Sequence, residues 1–90
     1  MLFEATIRRA DHQSDLMRRM FDRLGIDLAR AARHLLGIEL ASVSRTCMRC
    51  RHGAECEAWL VGNGREGDRY AFCPNAAAFD RIRNLQEGRP

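Results

Sequence analysis

The sequence predicts an all-α fold: a small helical bundle of four to five short helices, stapled by a four-cysteine metal site. Two observations carry this. Apolar residues recur at helical spacing through most of the 90-residue chain, with no alternating stretch long enough for a strand. All four cysteines fall between Cys47 and Cys73, separated by two, five and sixteen residues.

Residues 1–10 show no usable apolar period and read as an N-terminal segment, a frayed end or short docking piece, ahead of one helical metal-binding domain spanning 11–87. From about Asp11 a stripe appears: Leu16, Met17, Met20, Phe21 and Leu24, with arginines and aspartates around it. Asp11 or Ser14 suits the start, and Gly25 suits the position just past the end. Asp27 reads as the N-cap of a second helix whose face is Leu28, Ala31, Ala32, Leu35 and Leu36, closed by Gly37. Ile38–Thr46 is ambiguous: Ile38, Leu40 and Val43 allow a third helical face, while Ser42, Ser44 and Thr46 weaken it. After a turn at Arg51–Gly53, Ala54–Val61 reads as a short helix with Cys56, Trp59 and Leu60 on one side. Gly62–Asp68 reads as a flexible surface loop. Tyr70–Phe72 then return the chain to the cysteines. A last helix is expected to open at Cys73-Pro74-Asn75, because proline suits a first turn. Ala78, Phe79, Ile82 and Leu85 would be buried there, Arg81, Arg83 and Gln86 solvated, and Gly88–Pro90 frayed.

Composition narrows the function classes. A chain this short buries little core, so a metal or disulfide staple is a common supplement. No run of about 18 apolar residues offers a membrane span. Glu4 interrupts the short apolar start and no apolar stretch follows, so no secretory signal is read and the expected compartment is the cytoplasm, where thiols stay reduced. All fifteen basic residues are arginine; against twelve acids they leave a formal charge of +3. Four thiolates around a doubly charged metal would reduce that to +1. Such a balance gives nucleic acid little to hold.

The cysteines carry the chemistry. Cys47 and Cys50 are three apart, so one helical turn or tight loop brings both to one metal. Cys56 starts the next helix and Cys73 arrives from the last, so a metal would tie three segments together. Cys47, Cys50, Cys56 and Cys73 are therefore the candidate ligands, for a [4Fe–4S] cluster first and for Zn²⁺ as the alternative. Thiol or disulfide redox chemistry, and four unrelated buried thiols, stand behind them. Knuckle-type zinc sites place glycine close behind a cysteine pair and repeat the pair. Here Arg51 follows Cys50, and the later cysteines are single. Four protein ligands leave no open coordination position, which argues against a catalytic metal. His52 is read as a solvated turn residue, His12 and His34 as surface, and Trp59 as a core plug. Glu55 and Glu57 fall on different faces, so no acid–base pair is seen.

Two resemblances follow from these residues. Cys47-x2-Cys50-x5-Cys56 is similar to the last three ligand spacings of the cluster loop in endonuclease III-like DNA glycosylases, although Leu40 stands where that loop places its first cysteine. The resemblance implies cluster ligation and no base excision. More broadly, Leu16–Phe79 resembles a family of small, functionally uncharacterised proteobacterial proteins. The shared segments are Arg23–Asp27, Cys47-x2-Cys50, Cys56–Leu60 with its Cys-x2-Trp-Leu, and Phe72–Ala76 with its Phe-Cys-Pro-Asn-Ala. It implies that the cysteines belong together.

The expected function is a small, non-catalytic metalloprotein that binds one iron–sulfur cluster for electron transfer or redox sensing with a protein partner. The alternative is a zinc-stapled helical protein-interaction module. Ranked lower is a helix-turn-helix-like DNA binder using Arg30 and Arg33, against which Asp15, Asp22 and Asp27 interrupt the basic surface. No membrane role is expected.

Overall fold

The computed structural model describes residues 2–33, 37–62 and 64–88. Among them the fold is all-α, with no strand. The order is α1 (Leu2–Arg23), α2 (Leu28–Arg33), α3 (Gly37–Arg49), α4 (Gly53–Val61), a 3₁₀ helix (Glu66–Ala71) and α5 (Ala76–Gln86). α1 packs on α3 and α4, and α3 also meets α2 and α5.

α1 begins at Leu2, not near Asp11. Its residues 4–12 are all exposed, so no apolar period is needed there. An Arg8–Glu4 pair at 3.8 Å adds a little local support. Extending a helix that is already packed avoids the cost of a new nucleus. The C-terminal half is the apolar stripe read from the sequence, with Leu16, Met20, Phe21 and Leu24 buried.

α1 closes in a Schellman motif. Gly25 takes a left-handed φ of +71°, its N–H donates to Asp22 O at 3.1 Å, and Ile26 N–H donates to Phe21 O at 2.9 Å. Asp27 then caps α2, its Oδ1 accepting from Arg30 N–H at 3.1 Å. Leu28 and Ala32 are exposed, however, and only Ala31 of that helix is buried. His34, Leu35 and Leu36 lie outside the described residues. Gly37 does not close α2; it is the first residue of α3. It lacks the positive φ that ends α1 at Gly25. The ambiguous Ile38–Thr46 stretch is helical throughout, with Val43 buried and Ile38 84% exposed.

Two later elements differ from expectation. Part of the glycine loop is the 3₁₀ helix, and its Arg69 is only 1% exposed. Arg69 Nε donates to Glu66 O at 2.8 Å and Nη2 to Asp80 Oδ1 at 2.7 Å. Arg83 grips Glu66 with two bonds at 2.8 and 3.0 Å, and Tyr70 O–H donates to Asp80 Oδ2 at 2.5 Å. These bonds fasten the 3₁₀ helix to α5. α5 itself starts at Ala76, after a turn in which Ala76 N–H donates to Cys73 O at 3.2 Å, so Pro74 precedes the helix. Ala76, Phe79 and Ile82 are buried, whereas Leu85 is 53% exposed. Gln86 is not simply wet: it accepts from Asp27 N–H at 2.7 Å and donates to Gly25 O at 3.1 Å, tying the end of α5 to the α1–α2 turn. Gly88, at φ +75°, closes α5.

The core joins Met20, Phe21, Leu24 and Ile26 to Ala31, Val43, Trp59, Phe79 and Ile82. Phe21 and Phe79 meet edge to face with centroids 5.1 Å apart. Trp59 is held by its Nε1–H donating to Arg65 O at 2.9 Å and by Arg23 lying 4.6 Å over its ring. A β-carbon on Gly64 would land on that indole, 2.6 Å from Nε1, so glycine is required where the loop crosses Trp59.

Candidate functional site

The four cysteines meet. Cys47 lies in the last turn of α3, Cys50 just beyond it, Cys56 in the first turn of α4, and Cys73 between the 3₁₀ helix and α5. Each is half-buried, none is in a disulfide, and all four line one cavity of about 30 Å³. That exceeds the roughly 10–15 Å³ a single water needs. Leu16, Met17, Met20, Phe72 and Phe79 supply apolar wall.

The backbone around each thiol is fixed locally. Cys50 N–H donates to Cys47 O at 3.2 Å, which folds the Cys-x2-Cys turn. Cys56 N–H donates to His52 O at 3.0 Å, and Cys73 N–H to Arg69 O at 2.7 Å. Two polar side chains that the sequence reading did not single out as site residues complete the frame. Gln13, 6% exposed, donates Nε2–H to Cys47 O at 2.8 Å and to Cys50 O at 3.0 Å. It thereby serves carbonyls that a helix end leaves without intrahelical donors. Gly53 permits this closeness, since a β-carbon there would sit 2.9 Å from Gln13 Oε1. Asn75, 4% exposed, donates Nδ2–H to Val43 O at 2.9 Å and to Cys47 Sγ at 3.1 Å. Gln13 did leave a signal: it is a polar residue in register with the Leu16, Met17, Met20 and Leu24 stripe.

Burial governs the thiols. It pushes Cys47 up to about 11 despite the opposing bond from Asn75. Cys56 is also pushed up to about 11, by burial and then by the neighbouring Cys73, Cys47 and Cys50. Cys73 is raised by burial as well, against a hydrogen bond from the Asn75 backbone. Cys47, Cys56 and Cys73 are therefore held as protonated thiols at neutral pH, and a cation would have to displace those protons on entering. The arginines whose charge favours the thiolates are Arg19 at Cys56 and Arg69 at Cys73. Arg45, Arg49 and Arg51, which flank the Cys-x2-Cys pair in sequence, are exposed.

The donor set fits a thiolate-bound metal centre in number, in kind and in its apolar wall. Among the described residues, no group of three or more His, Cys, Asp or Glu side chains stands placed to hold a metal ion. The His52 side chain is exposed and lies 3.7 Å from Glu55, while its backbone N–H donates to Cys50 Sγ at 3.3 Å. His12 is exposed and lies 3.6 Å from Glu57. Trp59 packs in the core and is not part of the cavity wall.

The fold and the cavity together define a small all-α protein with four convergent cysteines. Residues 4–85 match DUF6455, a family of unknown function, and the chain belongs to that family. No match was found among curated proteins or among solved structures. Among the described residues no helix is long and apolar enough to cross a membrane.

Proposed function

We propose that Cys47, Cys50, Cys56 and Cys73 hold one [4Fe–4S] cluster and that the protein is a non-catalytic carrier or sensor of electrons, working with a protein partner in the cytoplasm. The observation that carries this reading is the convergence of four thiols, from three separate segments, on one apolar cavity. Bound there, a cluster supplies reversible one-electron chemistry. A cubane takes one thiolate on each of four irons, so it suits sulfurs arranged around a cavity. A lone zinc draws all four sulfurs onto one atom at about 2.3 Å. The four unpaired thiols suit a reducing compartment.

Cys73 tests the reading. Cys47, Cys50 and Cys56 are close in sequence, whereas Cys73 comes from the turn between the 3₁₀ helix and α5. Cys73→Ser is expected to lower metal content and to loosen α5 in hydrogen exchange at the same time. Full metal content with an unchanged spectrum and melt would reduce the site to three ligands.

A further inference from the structure

Asn75 breaks a local rule. It is the N-cap of α5, a position where asparagine is favoured because its side-chain oxygen accepts from the next turn's N–H groups. Here the side chain makes no such bond. It is buried, and its amide nitrogen is turned instead toward α3, at 2.9 Å from Val43 O and 3.1 Å from Cys47 Sγ. The backbone N–H of the same residue serves the sulfur of Cys73. One residue thus offers donors to two sulfurs that are 26 positions apart in sequence. α5 forgoes a side-chain cap to make this arrangement.

We infer that Asn75 is a positioning residue of the four-cysteine centre: its carboxamide orients the Cys47 sulfur toward the cavity and withdraws charge from it, setting how tightly the bound group is held and at what potential it is reduced. The inference rests on the metal-centre reading above. Hydrogen bonds to ligand sulfurs are among the main determinants of cluster potential, and a donor makes the sulfur a weaker electron donor to iron. The Cys56 sulfur, in contrast, receives no N–H donor among the described residues. The centre is therefore asymmetric, with its donors gathered on the Cys47, Cys50 and Cys73 side.

Asn75→Ser and Asn75→Asp separate positioning from folding. Both residues are good helix caps, so α5 is at no disadvantage, but serine falls short of Cys47 and aspartate presents an acceptor to it. In the anaerobically purified holo-protein, both variants are expected to keep the wild-type helical signal, with a melt lowered only by the loss of the bond to Val43 O. Their reduction potential should move to more negative values, further for aspartate than for serine. Release of iron to a chelator should nonetheless quicken by about fivefold, because the Cys47 sulfur loses the ordinary hydrogen bond that holds it toward the cavity, which outweighs its greater donor strength. An unchanged potential in both variants would overturn the inference, and so would a lowered melt with an unchanged potential, which would leave Asn75 a purely structural role. If the wild-type protein carries zinc, the cluster reading fails, and the rate of zinc release to the chelator then decides on Asn75 alone: faster in both variants supports it, equal rates overturn it. A wild-type protein that takes up neither metal nor cluster would overturn both.

Discussion

Gln13 in α1 donates one amide group to both Cys47 O and Cys50 O, at 2.8 and 3.0 Å, and so clamps the Cys-x2-Cys turn to a helix more than thirty residues away in sequence. The thiol geometry at the end of α3 is therefore set by α1 as much as by the turn itself. Gln13→Leu keeps the bulk and removes the donor. We expect a loss of about 1–3 kcal/mol of stability, since a buried acceptor is left without its partner. Metal content per chain should fall with it. A melt and a metal assay check both.

Gly64 is where the loop crosses Trp59. A methyl group added there collides with the indole, and relief would have to separate Trp59 Nε1 from Arg65 O. Gly64→Ala is expected to cost about 1–3 kcal/mol, the usual range for overpacking. Trp59 is the sole tryptophan, so its fluorescence reports the displacement directly. An emission spectrum and melt like those of the wild type would contradict the packing described.

The Arg69–Asp80 contact places a 1%-exposed guanidinium against a partly buried carboxylate. Arg69 Nη1 is itself buried with no hydrogen-bond partner among the described residues, so the cation depends heavily on Asp80. Asp80→Ala strands that charge and should destabilise the fold by about 3 kcal/mol, measured by denaturant titration.

The same network predicts sensitivity to acid. Burial alone would push Asp80 up, but bonds from Tyr70 and Arg69 hold it below the ordinary 3.8. The bond from Arg83 holds Glu66 below the ordinary 4.5. A carboxylate depressed by folding adds stability above its unfolded-state value and loses it as pH falls through its folded-state value. The contribution is therefore complete at neutral pH and disappears below about pH 4, where the unfolded carboxylates protonate first. Denaturation midpoints should drop from pH 7 to pH 3 in the wild type and drop less in Asp80→Ala. Equal slopes would remove this network as the cause.

Much of the arrangement was legible in the sequence because it depends on local chemistry. The stripe from Leu16 to Leu24, the left-handed stop at Gly25 and the cap at Asp27 each follow from residues within one turn. The grouping of the cysteines was legible from spacing, but their frame was not. Gln13 and Asn75 act on atoms roughly thirty residues away, which a local pattern does not encode. Arg69 directly follows the stretch read as a surface loop, Gly62–Asp68, and its pairing with Asp80 accompanies its burial. Gly37 reads as a stop because glycine often ends helices. It begins α3 instead, without the positive φ with which Gly25 ends α1. The outward half of α1 shows no apolar period because its residues 4–12 are exposed, yet it remains helical by extension from the half that is packed.

The most direct test of the four-thiolate cluster is the metal and sulfide content of protein purified without oxygen. The account predicts a brown protein with about four iron and four acid-labile sulfide per chain, as one cubane requires. A colourless protein with stoichiometric zinc and no sulfide would contradict it.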